Sequence, residues 1–365
     1  MNEQSANLLK DITERIGWKS VRSVVGRPLG YTATGLEPFI ERIQGSTADE
    51  QTRISRHISD VWRSLLLSGT RLVKLYKIDE NQLVDIQTSL SYLQPDTSIF
   101  SQNYPYPLSQ EQLISADADI HYVDKVSSIV QERQLETTIL TSKAYYTNTI
   151  ELDASHLSVA GLELRTNGGE IKCKTREVTQ CFNTIMVLPS LGLLAITIDL
   201  SIIPRAESER QQFLVDQFLR ASTGITLPPP IDLFDLVQEM YEQLDGRVSQ
   251  IAFITSDGNT SSLKLKPGQD CLRTDSYHHG GETASPILTK FKLGKMWDIT
   301  DTSSGNFTVE LELPGKRAMI DKPNSHLYDA VIDKCSTVEQ VFFVISKMLA
   351  SLEVINQRKI TQSVS

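Results

Sequence analysis

Residues 248–266, VSQIAFITSDGNTSSLKLK, carry the pattern that decides the fold class. Two β-rich runs flank the Gly-Asn pair at 258–259, and these residue types favour a two-residue turn between antiparallel strands. With that turn, Ile254 lies opposite Leu263, so apolar side chains pair on one face of the ribbon. The pattern therefore predicts a β-hairpin.

A second hairpin is predicted over residues 157–174, LSVAGLELRTNGGEIKCK, around its Asn-Gly pair. In this register Glu163 faces Lys172, and the next charged pair on the same face is Arg165 with Glu170. Opposite charges directly across a ladder stabilise a sheet, so the charged side chains are interpreted as an exposed cross-strand ladder.

The two hairpins are followed by similar pairs of strands and then by helices, which suggests a duplicated architecture. The predicted fold class is α+β, with mainly antiparallel meander sheets flanked by helices, arranged as two helix–four-strand–helix modules after a helical N-terminal module. Helices on one face of each meander would leave the other face either solvated or available to a partner. The predicted module elements are helices over 117–134, 206–221 and 233–244, strands near 182–189, 193–201, 293–300 and 306–313, and a terminal helix whose capping box is Ser336 and Glu339.

Composition shifts divide the chain into four predicted segments. The first contains helices near 6–16, 36–43 and 48–67 and a short hairpin formed by strands over 71–78 and 83–89. Prolines and tyrosines without periodicity mark a linker, and three consecutive prolines at 228–230 mark a further boundary. The segments are a basic module over 1–93, the linker over 94–115, and two α+β modules over 116–227 and 228–365.

The distribution of charge is uneven along the 365 residues, whose formal net charge is −9. Residues 1–77 hold twelve Lys or Arg against eight Asp or Glu, a net charge of +4, and the remainder is −13. An overall acidic chain disfavours binding of polyanions over its whole surface. The basic segment is expected either to be solvated, to face an anion or to contact the acidic remainder.

Targeting and redox features favour a cytoplasmic protein. The N-terminus lacks the basic and then apolar layout of a signal peptide, and no apolar run reaches the roughly 20 residues that cross a bilayer. The four cysteines are widely separated and include no CxxC pair, which argues against a zinc ribbon or a dense disulfide framework.

Several enzyme classes lack their sequence signals. The chain has neither the GxxxxGK[ST] loop nor the GxGxxG loop that cradle phosphates, and no GxSxG elbow. A Ser or Cys hydrolase whose triad comes from distant positions stays open.

The enzymatic alternative is a metal-dependent nuclease on the 157–174 hairpin. Asp153 or Glu163 would join Glu170 in holding Mg²⁺, and Lys172 would stabilise the developing phosphate charge. The favoured interpretation of the same side chains is the charge ladder, with no catalytic residue and no cofactor.

The segment 273–282, RTDSYHHGGE, is predicted to be a polar loop. Adjacent histidines on an extended chain point to opposite sides, which disfavours a shared metal ion. If a loop of the last module contacts a ligand or partner, this loop has the best set of side chains: Arg273, Tyr277, His278 and His279.

Basic residues of the first module form the candidate nucleic-acid surface. Arg53, Arg56 and Arg63 belong to the predicted helix 48–67, and Arg71 and Lys74 belong to the strand that follows. Acidic residues on the same helix dilute this positive potential, so a solvated or internally paired surface is the favoured interpretation.

The absence of nucleotide, metal and nucleophile signals beside a sheet scaffold predicts a non-enzymatic binding or assembly subunit. The expected partner is another protein or a second copy of the chain, nucleic acid is the second candidate, and no contact with a membrane is expected.

Overall fold

A computed structural model describes residues 3–167, 169–266, 268–284, 288–301, 305–320, 322 and 325–364. Ten strands form one antiparallel sheet in the order β2-β3-β4-β5-β1-β10-β9-β8-β6-β7. The strands are β1 (Gly69–Lys77), β2 (Ile120–Val130), β3 (Arg133–Glu151), β4 (Lys172–Leu188), β5 (Leu193–Asp199), β6 (Arg247–Thr255), β7 (Thr260–Lys264), β8 (Leu288–Asp301), β9 (Gly305–Leu313) and β10 (Ala330–Cys335). The predicted α+β class with an antiparallel sheet is confirmed.

Helices precede, interrupt and follow these strands. The α-helices are α1 (Glu3–Val21), α2 (Leu36–Gln44), α3 (Ala48–Leu65), α4 (Glu80–Ser91), α5 (Ile99–Asn103), α6 (Gln110–Ser115), α7 (Val159–Thr166), α8 (Arg205–Thr223), α9 (Leu236–Glu242), α10 (Ser276–Ala284) and α11 (Val338–Val364). A π-helix spans Arg22–Gly26, and short 3₁₀ turns span Arg27–Leu29, Ala154–His156, Pro189–Leu191, Leu272–Thr274 and Arg317–Met319. None of the helices described has the length and apolar composition needed to cross a bilayer.

The half of the sheet formed by β1–β5 is covered on both faces. Alternation along β1 sends Val73 toward α1, α2 and α3, and sends Leu72 and Tyr76 toward α4 and α8. The strands β4 and β5 follow the same alternation, so two apolar layers enclose this half. Full burial on both faces explains the continuous apolar sequence of β5, in which every residue is buried.

The half formed by β6–β10 packs helices on one face. Leu311 and Val309 of β9 and Trp297 of β8 join the buried cluster that includes α9 and α11. Residues at the alternating positions, such as Thr308 and Glu310, stay partly exposed on the opposite face. We call this second face the open face.

The strongest apolar periodicities locate several elements correctly. α1 changes direction at Gly17, whose φ of 72° departs from helical geometry, and sequence predicted the helix end there. The predicted helices 36–43, 48–67 and 206–221 correspond to α2, α3 and α8, and the later strand pairs correspond to β4, β5, β8 and β9. In α11, Val338, Phe342 and Ile345 are buried, as their spacing predicted.

The predicted helix over 117–134 is wrong, because β2 occupies this segment and turns into β3. Gln131 and Glu132 both have positive φ, which allows the two-residue turn between the strands. Val123, Val126 and Val130 have helical spacing, but they are β-branched; Val126 and Val130 pair with β3, and Val123 lies at a shift in that register. Tertiary pairing therefore overrides the local pattern.

The predicted hairpin over 157–174 is also wrong. Residues 159–166 form α7, whose first turn is capped by the Ser158 hydroxyl accepting from the Gly161 amide at 3.3 Å. Arg165 instead pairs with Glu151 at 3.6 Å, so the ladder with Glu170 does not form. The predicted turn includes residue 168, which lies outside the described residues.

The 248–266 hairpin exists in a different register. Ile254 pairs with Thr260, and Ile251 pairs with Leu263. The reason is a longer turn, in which the Gly258 amide donates to the Thr255 carbonyl at 2.9 Å and Gly258 has a φ of 82°. The hairpin prediction is confirmed and its register is corrected.

Two local signals were misassigned in neighbouring segments. The predicted strand 83–89 lies in α4, whose N-cap Asp79 accepts from the Asn81 amide at 3.0 Å. At α11 the Thr337 hydroxyl accepts from the Gln340 amide at 3.4 Å, one residue beyond the predicted Ser336 and Glu339 pair.

The boundaries of the predicted modules stay a prediction. Within the sheet, β1 of the 1–93 segment pairs with β5 and with β10, so it joins strands from both later segments. The second module adds β10 to its four predicted strands, and the first has β2 where a helix was expected. The linker contributes α5 and α6, and Phe100 of α5, Leu113 of α6 and Leu108 between them form a small cluster of their own.

Candidate functional site

A cleft of about 820 Å³ lies beside the open face of the sheet. One wall is the C-terminal part of α1 and the residues that follow it, from Arg15 to Val24. The opposite wall combines β6, β8, β9 and β10 with the segment 264–269. We call this space the open-face cleft.

A β-bulge shapes the sheet side of the cleft. The register of β6 against β8 shifts between Val248 and Gln250, which turns the Ser249 hydroxyl toward Glu310, to which it donates at 2.5 Å. A side chain at Gly294 would place its Cβ only 2.6 Å from that hydroxyl oxygen. Glycine is therefore required where the bulge crosses β8.

Three cations at the cleft are paired with carboxylates. Arg247 contacts Asp298 at 2.8 Å and Asp270 at 3.3 Å, and Lys334 contacts Glu310 at 2.7 Å. Their charges are balanced locally, as is that of Arg15, which pairs with the buried Asp199.

Three further lysines at the cleft are exposed: Lys19 of α1, Lys264 of β7 and Lys266 just after it. Within the part of the chain that the structure describes, none of the three forms an ion pair. Asp333, the remaining carboxylate of the lining, accepts from the Thr70 hydroxyl at 2.6 Å. The cleft therefore has an excess of positive charge in a chain of net charge −9.

The cleft also presents apolar side chains between these charges. Ile16 and Val24 come from the α1 wall, and Met296 comes from the sheet wall. A surface that alternates cations with apolar groups suits an amphipathic acidic polymer better than a small polar ion.

A buried polar cluster fixes α1 against the sheet. Arg15 pairs with Asp199 and donates to the Gln180 carbonyl at 3.1 Å. Burial alone would raise the pKa of Asp199, but the guanidinium groups of Arg15 and Arg71 outweigh it and hold that pKa below its usual range. The charged pair therefore persists at neutral pH and anchors the α1 wall of the cleft.

Arg71, one of the predicted binding residues, is fully buried and serves the fold. Its guanidinium donates to the carbonyls of Leu65, Leu66 and Ser68 at 3.0, 2.7 and 2.5 Å, and to that of Phe182. It thus satisfies carbonyl groups left free at the C-terminus of α3.

Arg273 plays the same part at α9. It donates to the carbonyls of Tyr241 at 3.0 Å, Gln243 at 2.6 Å and Gly246 at 3.2 Å, and its guanidinium lies 5.6 Å from the Tyr241 ring centre. The loop predicted around it is instead the 3₁₀ turn Leu272–Thr274 followed by α10.

Of the predicted histidines, His278 is fully buried and meets the Tyr241 hydroxyl at 2.8 Å. Phe253 packs beside its ring at 5.6 Å between ring centres. The side chains of Tyr277 and His279 lie outside the described residues. The structure therefore places His278 in the core rather than at a surface that a partner reaches.

The other predicted basic residues lie apart from the cleft. Lys74 faces Asp329 at 3.7 Å. Arg53, Arg56 and Arg63 are exposed on the outer side of α3, opposite the buried Ile58. They form a separate cationic strip that Asp60 interrupts.

The residues of the nuclease alternative lie at the end of β3, in α7 and at the start of β4. Glu163 belongs to α7, Asp153 precedes the 3₁₀ turn Ala154–His156, and Glu170 pairs with Lys172 at 2.6 Å. The hairpin on which the alternative relied is absent from these positions. Among the described residues, no group of three or more His, Cys, Asp or Glu side chains has the geometry to hold a metal ion.

Sequence reasoning missed the residues of the open-face cleft. The run Lys264-Leu265-Lys266 gave a signal, because alternation in a strand puts both lysines on the face opposite the leucine. Lys19 gave none, since its approach to the sheet depends on how α1 packs.

The chain matches no model of a known protein family, and it matches no curated protein.

Proposed function

We propose that the chain is a non-enzymatic binding or assembly subunit that holds an acidic, partly apolar segment of a protein in the open-face cleft. The observation that carries the proposal is the set of three exposed lysines, Lys19, Lys264 and Lys266, which form no ion pair with any described residue and lie in a cleft of about 820 Å³. Carboxylates of a partner would neutralise these charges, and complementary potentials of this kind set specificity and association rate.

Protein is favoured over nucleic acid because of the lining. Ile16, Val24 and Met296 offer contacts to aliphatic side chains, which a phosphate backbone lacks. The acidic remainder of the chain, at −13 beyond residue 77, repels a long polyanion more than it repels a short acidic peptide.

Fluorescence anisotropy tests the proposal with three labelled probes of equal length: an acidic peptide containing leucines, a basic peptide containing leucines, and single-stranded DNA. We expect the acidic peptide to bind in a salt-sensitive manner. The triple variant Lys19→Glu, Lys264→Glu, Lys266→Glu should weaken that binding at least about tenfold, because three attractive charges become repulsive.

The matched control is the triple variant Arg53→Glu, Arg56→Glu, Arg63→Glu, which makes the same change of net charge on exposed positions of α3. It should leave acidic-peptide binding unchanged. An equal loss of acidic-peptide binding in both triple variants, or no binding of that peptide by the natural chain, would refute the cleft as the site.

Two other results would redirect the assignment. DNA binding that the α3 variant abolishes would support the nucleic-acid candidate. Cleavage of DNA or RNA in Mg²⁺ that Glu170→Ala abolishes would restore the nuclease alternative.

A further inference from the structure

A two-stranded arm leaves the body of the sheet at its first half. β3 pairs with β2 only as far as Ser142, whereas its pairing with β4 continues to Glu151 and Lys172. Residues 145–151 and 172–179 therefore form a ribbon without flanking strands. At about 3.3 Å per residue it extends about 20 Å. We call residues 145–179 the arm and residues 152–171 the arm tip.

The arm tip exposes apolar side chains. Val159 is 75 %, Leu164 62 % and Leu162 38 % exposed, and α7 contains no buried residue. A helix of eight residues has little stability of its own in water, and most helices in proteins depend on packing of an apolar face. The tip therefore presents a helix whose apolar residues are not covered by any part of the chain that the structure describes.

The arm tip is also acidic. It contains Asp153, Glu163 and Glu170 against Arg165, a net charge of −2. Glu170 pairs with Lys172, whereas Asp153 and Glu163 form no ion pair with any residue for which the structure gives a position. Two unbalanced carboxylates thus accompany the exposed apolar groups.

The charge and polarity of the tip complement those of the open-face cleft. The cleft offers Lys19, Lys264 and Lys266 between apolar residues, which complement the tip's carboxylates and aliphatic side chains. Among the described residues, none that lines the cleft comes from the arm, so these two surfaces are separate within one chain.

We propose that the arm tip of one copy occupies the open-face cleft of a second copy. This inference rests on the proposed function and names the acidic segment as residues 152–171 of the same protein. Reciprocal exchange of two arms gives a closed two-fold dimer, the commonest form of homo-oligomer.

Sedimentation velocity on the full chain tests the proposal through charge reversal. The tip variant Asp153→Lys, Glu163→Lys and the cleft variant Lys264→Glu, Lys266→Glu should each raise the dimer dissociation constant at least about tenfold. A chain carrying all four changes should form dimers again, because the charges are reversed on both surfaces. The control Arg53→Glu, Arg56→Glu should remain dimeric.

Mixing gives a second measurement if the four-fold variant folds poorly. The tip variant keeps a natural cleft and the cleft variant keeps a natural tip, so native mass spectrometry should detect a mixed dimer in preference to either homodimer. A natural chain that is monomeric at all concentrations, or a dimer that neither variant weakens, would overturn the proposal. So would failure to form the mixed dimer.

The acidic peptide separates this failure from failure of the proposed function. If the peptide binds the cleft of a monomeric chain, the arm exchange is wrong and an acidic segment of a different protein is the occupant. If the chain neither binds the peptide nor dimerises through these charges, both proposals are lost.

Discussion

The two halves of the sheet use their cations in opposite ways. In the half formed by β1–β5, helices cover both faces, and the hydrogen bonds that Arg71 donates go to carbonyl groups inside the protein. In the half formed by β6–β10, one face stays open, and Lys264 and Lys266 meet no carboxylate among the described residues. Whether helices cover the sheet face around a cation therefore decides whether that cation has a structural role or a binding role.

Each half nevertheless contains one cation with a fully buried side chain at a helix C-terminus. Arg71 serves α3, and Lys295 of β8 serves α9 by donating to the Met240 and Gln243 carbonyls at 2.9 and 3.1 Å. Their carboxylate neighbours differ, because Asp199 is fully buried and Asp245 is 39 % exposed. Removing the two cations should therefore have unequal effects.

The largest effect is expected from Arg71→Met. Burial lowers the pKa of Arg71 and the nearby Asp199 raises it, so the cation belongs to a coupled buried group. Its loss removes the side-chain donor from the carbonyls at the end of α3 and weakens the compensation of the Asp199 charge, which should reduce the free energy of unfolding by about 3 to 5 kcal/mol. Urea unfolding measures this value, and Arg53→Met on the exposed side of α3 should change it by less than about 0.5 kcal/mol.

A smaller loss, about 2 kcal/mol, is expected from Lys295→Met. Arg273 still donates to the Gln243 carbonyl, Lys347 still pairs with Asp245 at 2.8 Å, and water reaches the exposed side of that carboxylate. The same urea experiment compares the two halves directly. A loss equal to that of Arg71→Met would contradict the idea that enclosure on both faces sets the difference.

Many elements of the two halves could be predicted from sequence, and those that could not depend on contacts between segments distant in the chain. The apolar stripes of α3 and α11 and the apolar run of β5 were recognised because their period or continuity is local. In α7, Leu162 and Leu164 alternate with charges as they would in a strand, although the Ser158 cap signalled a helix. The local pattern of a short segment does not decide between these states.

The site was less accessible than the fold. Arg71 and Arg273 looked like exposed cations, but their burial depends on helices that end beside them in space. Which sheet face stays open depends on where α1, α8 and α11 pack, and no single segment encodes that choice. The sequence therefore identified a sheet surface as a binding candidate without identifying the residues on it.

Asp11 belongs to α1, the helix that forms one wall of the cleft. Burial, with Glu14 adding to it and Arg15 opposing it, raises the pKa of Asp11 to about 6 from 3.8. The folded state thus favours the protonated acid, and its destabilisation grows as pH rises from about 4 to about 6. Asp11→Asn should raise the free energy of unfolding by about 1 to 2 kcal/mol at pH 7, less than the full shift implies because the side chain is partly exposed.

The measurement for Asp11→Asn is the urea midpoint at pH 7 and at pH 4. The gain should fall to about 0.5 kcal/mol or less at pH 4, where the acid is protonated in the folded state and still partly ionised in the unfolded state. A gain that persists unchanged at pH 4 would show that the carboxyl charge is not its cause. Glu41→Gln, which removes an exposed carboxylate of α2 instead, serves as the control and should change little.

The smallest effect is expected from His121→Asn. This variant tests whether the stability of the half formed by β1–β5 also depends on pH at its edge strand, β2. The His121 imidazole contacts Asp96 at 2.5 Å and Asp117 at 2.8 Å and stacks on Phe100, so it ties the linker to β2. Burial would lower the pKa of His121, but the hydrogen bonds and charges of the two carboxylates outweigh it and raise that pKa.

A raised histidine pKa stabilises the folded state fully below the unfolded value of about 6.5, and this contribution is lost as pH rises through the folded pKa. Burial alone would raise the pKa of Asp96 and Asp117, but their hydrogen bonds with His121 and neighbouring groups lower it. The stability that these two carboxylates contribute is therefore lost as pH falls through their lowered pKa values. His121→Asn should lower the free energy of unfolding by about 1 kcal/mol near pH 6 and by less near pH 9. The effect is small because both carboxylates are about half exposed and solvent screens their interaction with the imidazole. An equal cost at both pH values would assign the effect to packing on Phe100 and would remove pH dependence from the covered half.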